Sequence, residues 1–109
     1  MAFPSSPRRG EVYLVNLDKP RPAIVLTVDA LNRHALDVCV VPITTKTHAQ
    51  FTMRVPLRKG DGGLDRDCWA KCDQVMTLEK ADIQARPLGA LSLSKLQQIE
   101  DQVRVAMGL

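Results

Sequence analysis

Four polar residues stand beside or inside runs of apolar ones. Arg21 directly precedes Pro22-Ala23-Ile24-Val25-Leu26-Thr27-Val28, and Thr44 ends the run that starts at Leu36. Lys71 and Asp73 are one residue apart within Cys68-Trp69-Ala70-Lys71-Cys72-Asp73-Gln74-Val75-Met76. Charges in a half-buried strand cost of order several kcal/mol per ion before any partner compensates them. Taken singly, each residue also fits a structural role, with Arg21 and Asp73 as a salt bridge at the edge of the core. Taken together they form a chemical set. An arginine presents a planar, permanently charged fork suited to phosphate. A threonine adds a hydroxyl donor, and an aspartate can accept a proton. RNA breaks when its 2′-hydroxyl is deprotonated and attacks the adjacent phosphorus. That step needs a base, an acid for the leaving 5′-oxygen and donors for the phosphorane, and it needs no metal.

The elements that must position these residues are visible as periodicities. Residues 1–9, with two prolines and two serines ahead of Arg8-Arg9, read as a flexible N-terminal lead-in to a single domain over 10–109. Residues 11–17 form a strand rich in β-branched and aromatic types, and Asp18-Lys19-Pro20 is a short turn. The second strand, 22–28, is so continuously apolar that both its faces require cover. Residues 29–34 connect to the third strand and have room for one helical turn. In that third strand, 36–44, Pro42 cannot donate to a ladder and belongs at an edge or where pairing lapses. Residues 45–50 are a polar loop, where His48 is incidental to chemistry, and 51–57 alternate as a fourth strand. Gly60-Asp61-Gly62-Gly63-Leu64-Asp65 is a turn, followed by a fifth strand, 68–76, with Lys71, Asp73 and Val75 on one face. From Ser92 onward Leu96, Ile99, Val103 and Ala106 recur at helical spacing, with Ser92 or Ser94 as cap and Gly108 as stop. Such an order predicts a mainly β domain, a compact barrel or curled sheet roofed by one C-terminal helix.

Composition narrows the class. A chain of 109 residues is one domain, and 45% hydrophobic content is enough for a core that the 4% of aromatic residues leaves largely to aliphatic packing. The net charge of +3 is unevenly spread. Residues 1–60 hold nine Lys/Arg against four acids, and residues 61–109 hold six against eight. The basic half is suited to attract phosphates, although uneven surface charge reads the same way. Three cysteines with a three-residue gap between Cys68 and Cys72, and only two histidines, do not make a zinc site, and no cofactor is expected. With no apolar leader region and no run of membrane-spanning length, the reading is a cytoplasmic protein with reduced thiols and no membrane partner.

Arg9-Gly10-Glu11-Val12-Tyr13, Arg21-Pro22-Ala23-Ile24-Val25, Val41-Pro42-Ile43-Thr44, and Leu64-Asp65-Arg66-Asp67 leading to Cys72-Asp73-Gln74-Val75 closely resemble the MazF/PemK (Kid) toxins of bacterial toxin–antitoxin modules. Asp29-Ala30-Leu31-Asn32-Arg33 and the ending from Leu88-Gly89 to Leu109 are similar as well, so the resemblance covers about residues 8–109. It implies an SH3-like, CcdB/PemK-type antiparallel β-barrel that forms a homodimer. It implies a growth-arresting mRNA interferase, an endoribonuclease that cleaves single-stranded mRNA at short sequences, leaves a 2′,3′-cyclic phosphate and a 5′-hydroxyl, and is silenced by a small MazE/PemI-like antitoxin. The family's catalytic arginine falls on Arg21 and its catalytic threonine on Thr44. An Arg-x-Asp pair that some members use as acid and base falls on Lys71 and Asp73, so that Asp73 serves as base or orients Arg21. Gln74 matches a glutamine able to read a base edge.

Two departures bear on the site. Members carry a long loop between the first two strands, and here it is only Asp18-Lys19-Pro20, which leaves Arg21 less covered and dependent on Thr44 and Asp73 for its aim. A histidine that many members have on the fourth strand is replaced, with Arg54 nearest. Arg54, Lys46 and Lys19 join Lys71 and Gln74 as candidate RNA contacts. Trp69 reads as core or interface. The rival reading is a CcdB-like toxin that binds gyrase without chemistry, or an inactive binding module on the same barrel.

Overall fold

In the computed structural model, which describes residues 6–46 and 53–109, β1 (Glu11–Asn16) and β2 (Pro20–Val25) form a hairpin with Val12 across from Ile24 and Val15 across from Arg21. A six-residue helix α1 (Asp29–His34) leads into β3 (Asp37–Thr44), which pairs with β2 from Val25–Val40 to Ala23–Pro42. β4 (Arg54–Leu57) and β5 (Cys68–Lys71) make a second hairpin around a 3-10 turn at Asp61–Gly63, and β5 joins β3 at Ile43 and Thr44. β6 (Met76–Glu79) pairs with β3 at Asp37–Val40, and β7 (Gly89–Ala90) adds to the outer edge of β1. The strand order is β4-β5-β3-β2-β1-β7, with β6 beside β3. A bridge between Val15 and Ile83 carries the chain after β6 back to β1 and curls the sheet on itself. α2 (Leu93–Met107) closes the domain. The predicted architecture, an antiparallel SH3-like β-barrel with a C-terminal helix, is the one observed.

Both faces of β2 are covered, as its apolar run requires. Ala23 and Val25 pack with Tyr13, Val15, Val38, Val40 and Ile83 in one core, while Ile24 packs with Val12, Val41, Leu57, Leu96 and Ile99 in the other. Each fully buried Val, Ile or Leu contributes about 1.5–3 kcal/mol, so the second core fastens the helix to the sheet. Leu96 and Ile99 face that core, and Val103 packs against it. Ser92 caps α2 by accepting the Lys95 N–H at 3.1 Å, and Gly108 ends it at φ 70°, a conformation that favours glycine. The Asp61–Gly63 turn tucks under Leu88 so closely that a Cβ on Gly63 would lie 2.0 Å from the Leu88 carbonyl oxygen.

Several expected boundaries shift for physical reasons. β2 runs Pro20–Val25 and not 22–28, because Thr27 leaves the ladder to meet α1, where its carbonyl accepts the Asn32 amide at 2.8 Å and its hydroxyl reaches Asn32 Oδ1 at 2.6 Å. The run 68–76, expected as one strand, is two. Ile43 meets Ala70, yet Val40 meets Met76, so the register along β3 slips by three residues between β5 and β6. The slack is taken up at Cys72–Val75, where the Gln74 N–H donates to the Lys71 carbonyl at 3.0 Å. This corner falls level with Pro42, which offers no N–H to hold a strand there. Lys71 and Asp73 therefore do not alternate on one strand face. Lys71 ends β5, and Asp73 sits in the turn. β6 and β7 were not anticipated. The fourth strand begins at Arg54; Phe51 and Thr52, like His48, lie outside the described residues.

Candidate active site

Arg21 enters the site from the start of β2. Extending the β2–β3 register two residues past its last rung, Ala23–Pro42, sets Arg21 across from Thr44. Proline at positions 22 and 42 helps the ladder lapse here and leaves the strand ends open. On its other side Thr44 is held by β5, opposite Trp69. Its Oγ1 accepts the Lys46 N–H at 3.1 Å, which leaves the hydroxyl proton to be donated elsewhere.

Two clefts meet at this pair. One, of about 560 Å³, is lined by Lys19, Arg21, Thr44, Lys46 and Arg66, with Leu64 and Cys68 also on its wall. The other, of about 360 Å³, is lined by Leu17, Arg21, Thr44, Lys71, Gln74 and Met76, among others. Arg21, Ile43 and Thr44 belong to both. The first cleft sets four cations, Lys19, Arg21, Lys46 and Arg66, against one carboxylate, Asp65, and the second joins Arg21 and Lys71 to an apolar wall and one amide side chain. A phosphate at the junction could be reached by Arg21 and Thr44 while a base lay beside Gln74.

The charges around Arg21 differ from those expected. Its partner is Asp18, in the short turn: Nε donates to Oδ1 at 3.0 Å and Nη2 to Oδ2 at 3.1 Å. The hydrogen bond from Arg21 holds the Asp18 carboxyl down at about 2, and Asp18 in turn raises the guanidinium. Asp73 is engaged elsewhere, 3.9 Å from Arg54 Nε, and lines neither cleft. It therefore does not orient Arg21. The Arg54 side chain is only 7% exposed and lies across from Lys71 in the β4–β5 ladder. Lys71 has its pKa lowered, first by burial and then by the like charges of Arg54 and Arg21, with Asp73 pulling the other way. An ammonium so placed gives up its proton more readily than an ordinary lysine.

Of the residues singled out from sequence, Arg21, Thr44, Lys71, Gln74, Lys46 and Lys19 line the two clefts, while Arg54 and Asp73 stand behind Lys71. Sequence reasoning passed over Asp18 and Arg66. The signal for Asp18 was present, an acid three residues before an arginine across a turn too short to let them part. The cysteines are free thiols, and burial pushes Cys68 and Cys72 up to about 11, so neither is a ready nucleophile. No three of the His, Cys, Asp and Glu residues among those described are placed to hold a metal ion. No helix among the described residues is long and apolar enough to cross a membrane.

Comparison with known proteins gives one consistent result. Residues 8–107 match the sequence profile of the family described as PemK-like, MazF-like toxin of type II toxin-antitoxin system. The chain is 29% identical to Endoribonuclease MazF9 of Mycobacterium tuberculosis over 115 aligned residues, covering 94% of this chain and 97% of that protein. It is 28% identical to Endoribonuclease MazF of Staphylococcus saprophyticus, covering 94% and 92%. Among solved structures, an endoribonuclease in complex with its cognate antitoxin from a mycobacterial species superposes with a TM-score of 0.84 at 28% identity, covering 95% of this chain and 97% of that one. Register, site and profile agree: the chain belongs to the PemK-like, MazF-like toxins of type II toxin–antitoxin systems.

Proposed function

We propose that this protein is a toxin endoribonuclease that cuts single-stranded mRNA at short sequences without a metal ion, producing translation and growth arrest. The observation that carries the reading is the meeting of Arg21 and Thr44 at the junction of two cationic clefts. The names of the curated relatives support the activity.

In this reading the scissile phosphate sits at the junction. The 2′-hydroxyl gives its proton to a base, its oxygen bonds to phosphorus, and the bond from phosphorus to the 5′-oxygen breaks. A proton delivered to that oxygen leaves a 5′-hydroxyl beside a 2′,3′-cyclic phosphate. Arg21 holds the non-bridging oxygens as charge builds on them, and Thr44 donates its hydroxyl to the same group. Asp73, in the turn after Lys71 and 3.9 Å from Arg54 Nε, is assigned the role of base. Lys71, with its lowered pKa, is assigned the role of acid for the leaving oxygen. Gln74 reads a base edge, Lys19 and Lys46 follow the backbone, and Arg54 adds charge behind Lys71.

A cognate MazE/PemI-like antitoxin would silence the enzyme by laying an acidic segment over the clefts, folding as it binds. The solved mycobacterial complex supports a partner of that kind. The working form is a homodimer, and the place of action is the cytoplasm, where the substrate is found. The test is purified protein mixed with single-stranded RNA in EDTA. The expected products are discrete fragments with cyclic-phosphate and 5′-hydroxyl ends by mass spectrometry. Intact RNA, with inhibition of gyrase supercoiling instead, overturns the reading.

A further inference from the structure

We propose that Asp18 is a positioning residue for Arg21, clamping one edge of the guanidinium so that its other edge faces the junction of the two clefts. The inference rests on the reading of Arg21 as the phosphate-binding group, and it adds a residue for which that reading has no use.

The geometry is that of a clamp. A guanidinium has five N–H donors around a rigid plane. Asp18 takes the edge made by Nε and Nη2, at 3.0 and 3.1 Å, and Nη1 makes no hydrogen bond among the described residues. The end of the fork, Nη1 with the second proton of Nη2, stays available for a bidentate phosphate contact. Without Asp18 little would hold this side chain, since Arg21 is 44% exposed and stands beyond the last rung of β2 with β3. Asp18 is itself restrained by position. Only Leu17, Asp18 and Lys19 separate β1 from β2, so its backbone is tied at both ends within a few residues. The carboxyl, held at about 2, stays ionised at every pH at which RNA is cleaved enzymatically, and the clamp does not open by titration.

A carboxylate beside a phosphate-binding arginine could instead act as its competitor. The side-on geometry argues against that, because a competitor would occupy the forked end. A positioning residue acts on the rate of the chemical step more than on binding, since the guanidinium keeps its charge wherever it points. Small misplacements of a catalytic group cost up to about 10²-fold in rate.

The test uses wild type, Asp18→Asn, Arg21→Ala, Arg21→Lys and the Asp18→Asn/Arg21→Lys double variant, with a fluorescent single-stranded RNA in EDTA. Wild-type cleavage lost in Arg21→Ala establishes the underlying reading; without that loss, the reading itself has failed. Given it, Asp18→Asn is expected to lower kcat by roughly 10-fold or more with KM within about 2-fold, and to melt like wild type. In the Arg21→Lys background the same change should cost almost nothing, because the clamp has nothing left to hold. Should Arg21→Lys leave no measurable activity, the Arg21 Nε–H resonance decides: sharp in wild type and exchange-broadened in Asp18→Asn supports the clamp, and equal signals overturn it. The inference is also overturned if Asp18→Asn cleaves as fast as wild type or faster, if only KM changes, or if the loss is equally large in the Arg21→Lys background.

Discussion

Replacing Lys71 with methionine should make the fold more stable and the enzyme slower. Lys71 stands directly across from Arg54 in the β4–β5 ladder, where opposed Cβ atoms are ~5 Å apart. Two cations ending ~7 Å apart repel by about 2 kcal/mol at an effective dielectric constant of about 20. Arg21 adds to this and Asp73 offsets part of it. Methionine keeps the apolar stem and removes the charge, so the expected gain at pH 7 is about 2 kcal/mol, or roughly 1.6 M in urea midpoint for a domain of this size. The pH dependence follows from the sign of the shift. The folded-state pKa lies below the unfolded value of 10.5, so the unfolded chain holds the proton more tightly. The penalty in wild type is therefore fully present below the folded pKa and disappears as pH rises past 10.5. Urea unfolding followed by circular dichroism at pH 7 and pH 10 should show the methionine variant's advantage shrinking at the higher pH. RNA cleavage by the variant should fall by roughly 10²-fold, the scale of a lost proton donor. A variant less stable than wild type at pH 7, or an advantage that is the same at both values, refutes the argument.

Other perturbations probe the rest of the molecule. Arg21→Ala should lower the cleavage rate by roughly 10²–10³-fold, the loss typical of one preorganised donor, while thermal melting stays that of wild type; a variant that fails to fold would make Arg21 structural. Ile99→Ala, at a position with no exposed surface beneath α2, should cost about 3–4 kcal/mol and lower the melting temperature by roughly 15 °C or more. In the native protein at pH 7.5, iodoacetamide should label the half-buried Cys39 before Cys68 or Cys72, whose thiols burial holds near 11; peptide mass spectrometry that finds Cys68 modified first would contradict that burial.

What could be read from the sequence was whatever depends on local pattern. The apolar run after Arg21 demanded two covered faces, and Ala23, Ile24 and Val25 are divided between two cores. Pro42 marked a break in pairing, and the break lies between β5 and β6. Leu96, Ile99 and Val103 marked the inward face of α2, and Ser92 and Gly108 its ends. What could not be read depends on registers between distant segments. Cys68–Met76 alternates well enough for one strand, and only the three-residue slip along β3 divides it and sends Asp73 into a corner. β7 is two residues long and is a strand only because Glu11 and Val12 lie beside it. The candidate site shows the same division. Arg21 and Thr44 could be singled out by type and setting, whereas the exchange of partners, Asp18 for Arg21 and Arg54 for Asp73, follows from where the turns place the carboxylates.

The Val15–Ile83 bridge and the β1–β7 rungs join the first strand to the segments that precede α2. During synthesis β1 is made early, yet its outer edge waits for Ile83, Gly89 and Ala90, and the roof over the second core waits for Leu96 and Ile99. Pairings so far apart in sequence are also slow to form. A product cut short before α2 lacks Leu96 and Ile99 and cannot complete the second core.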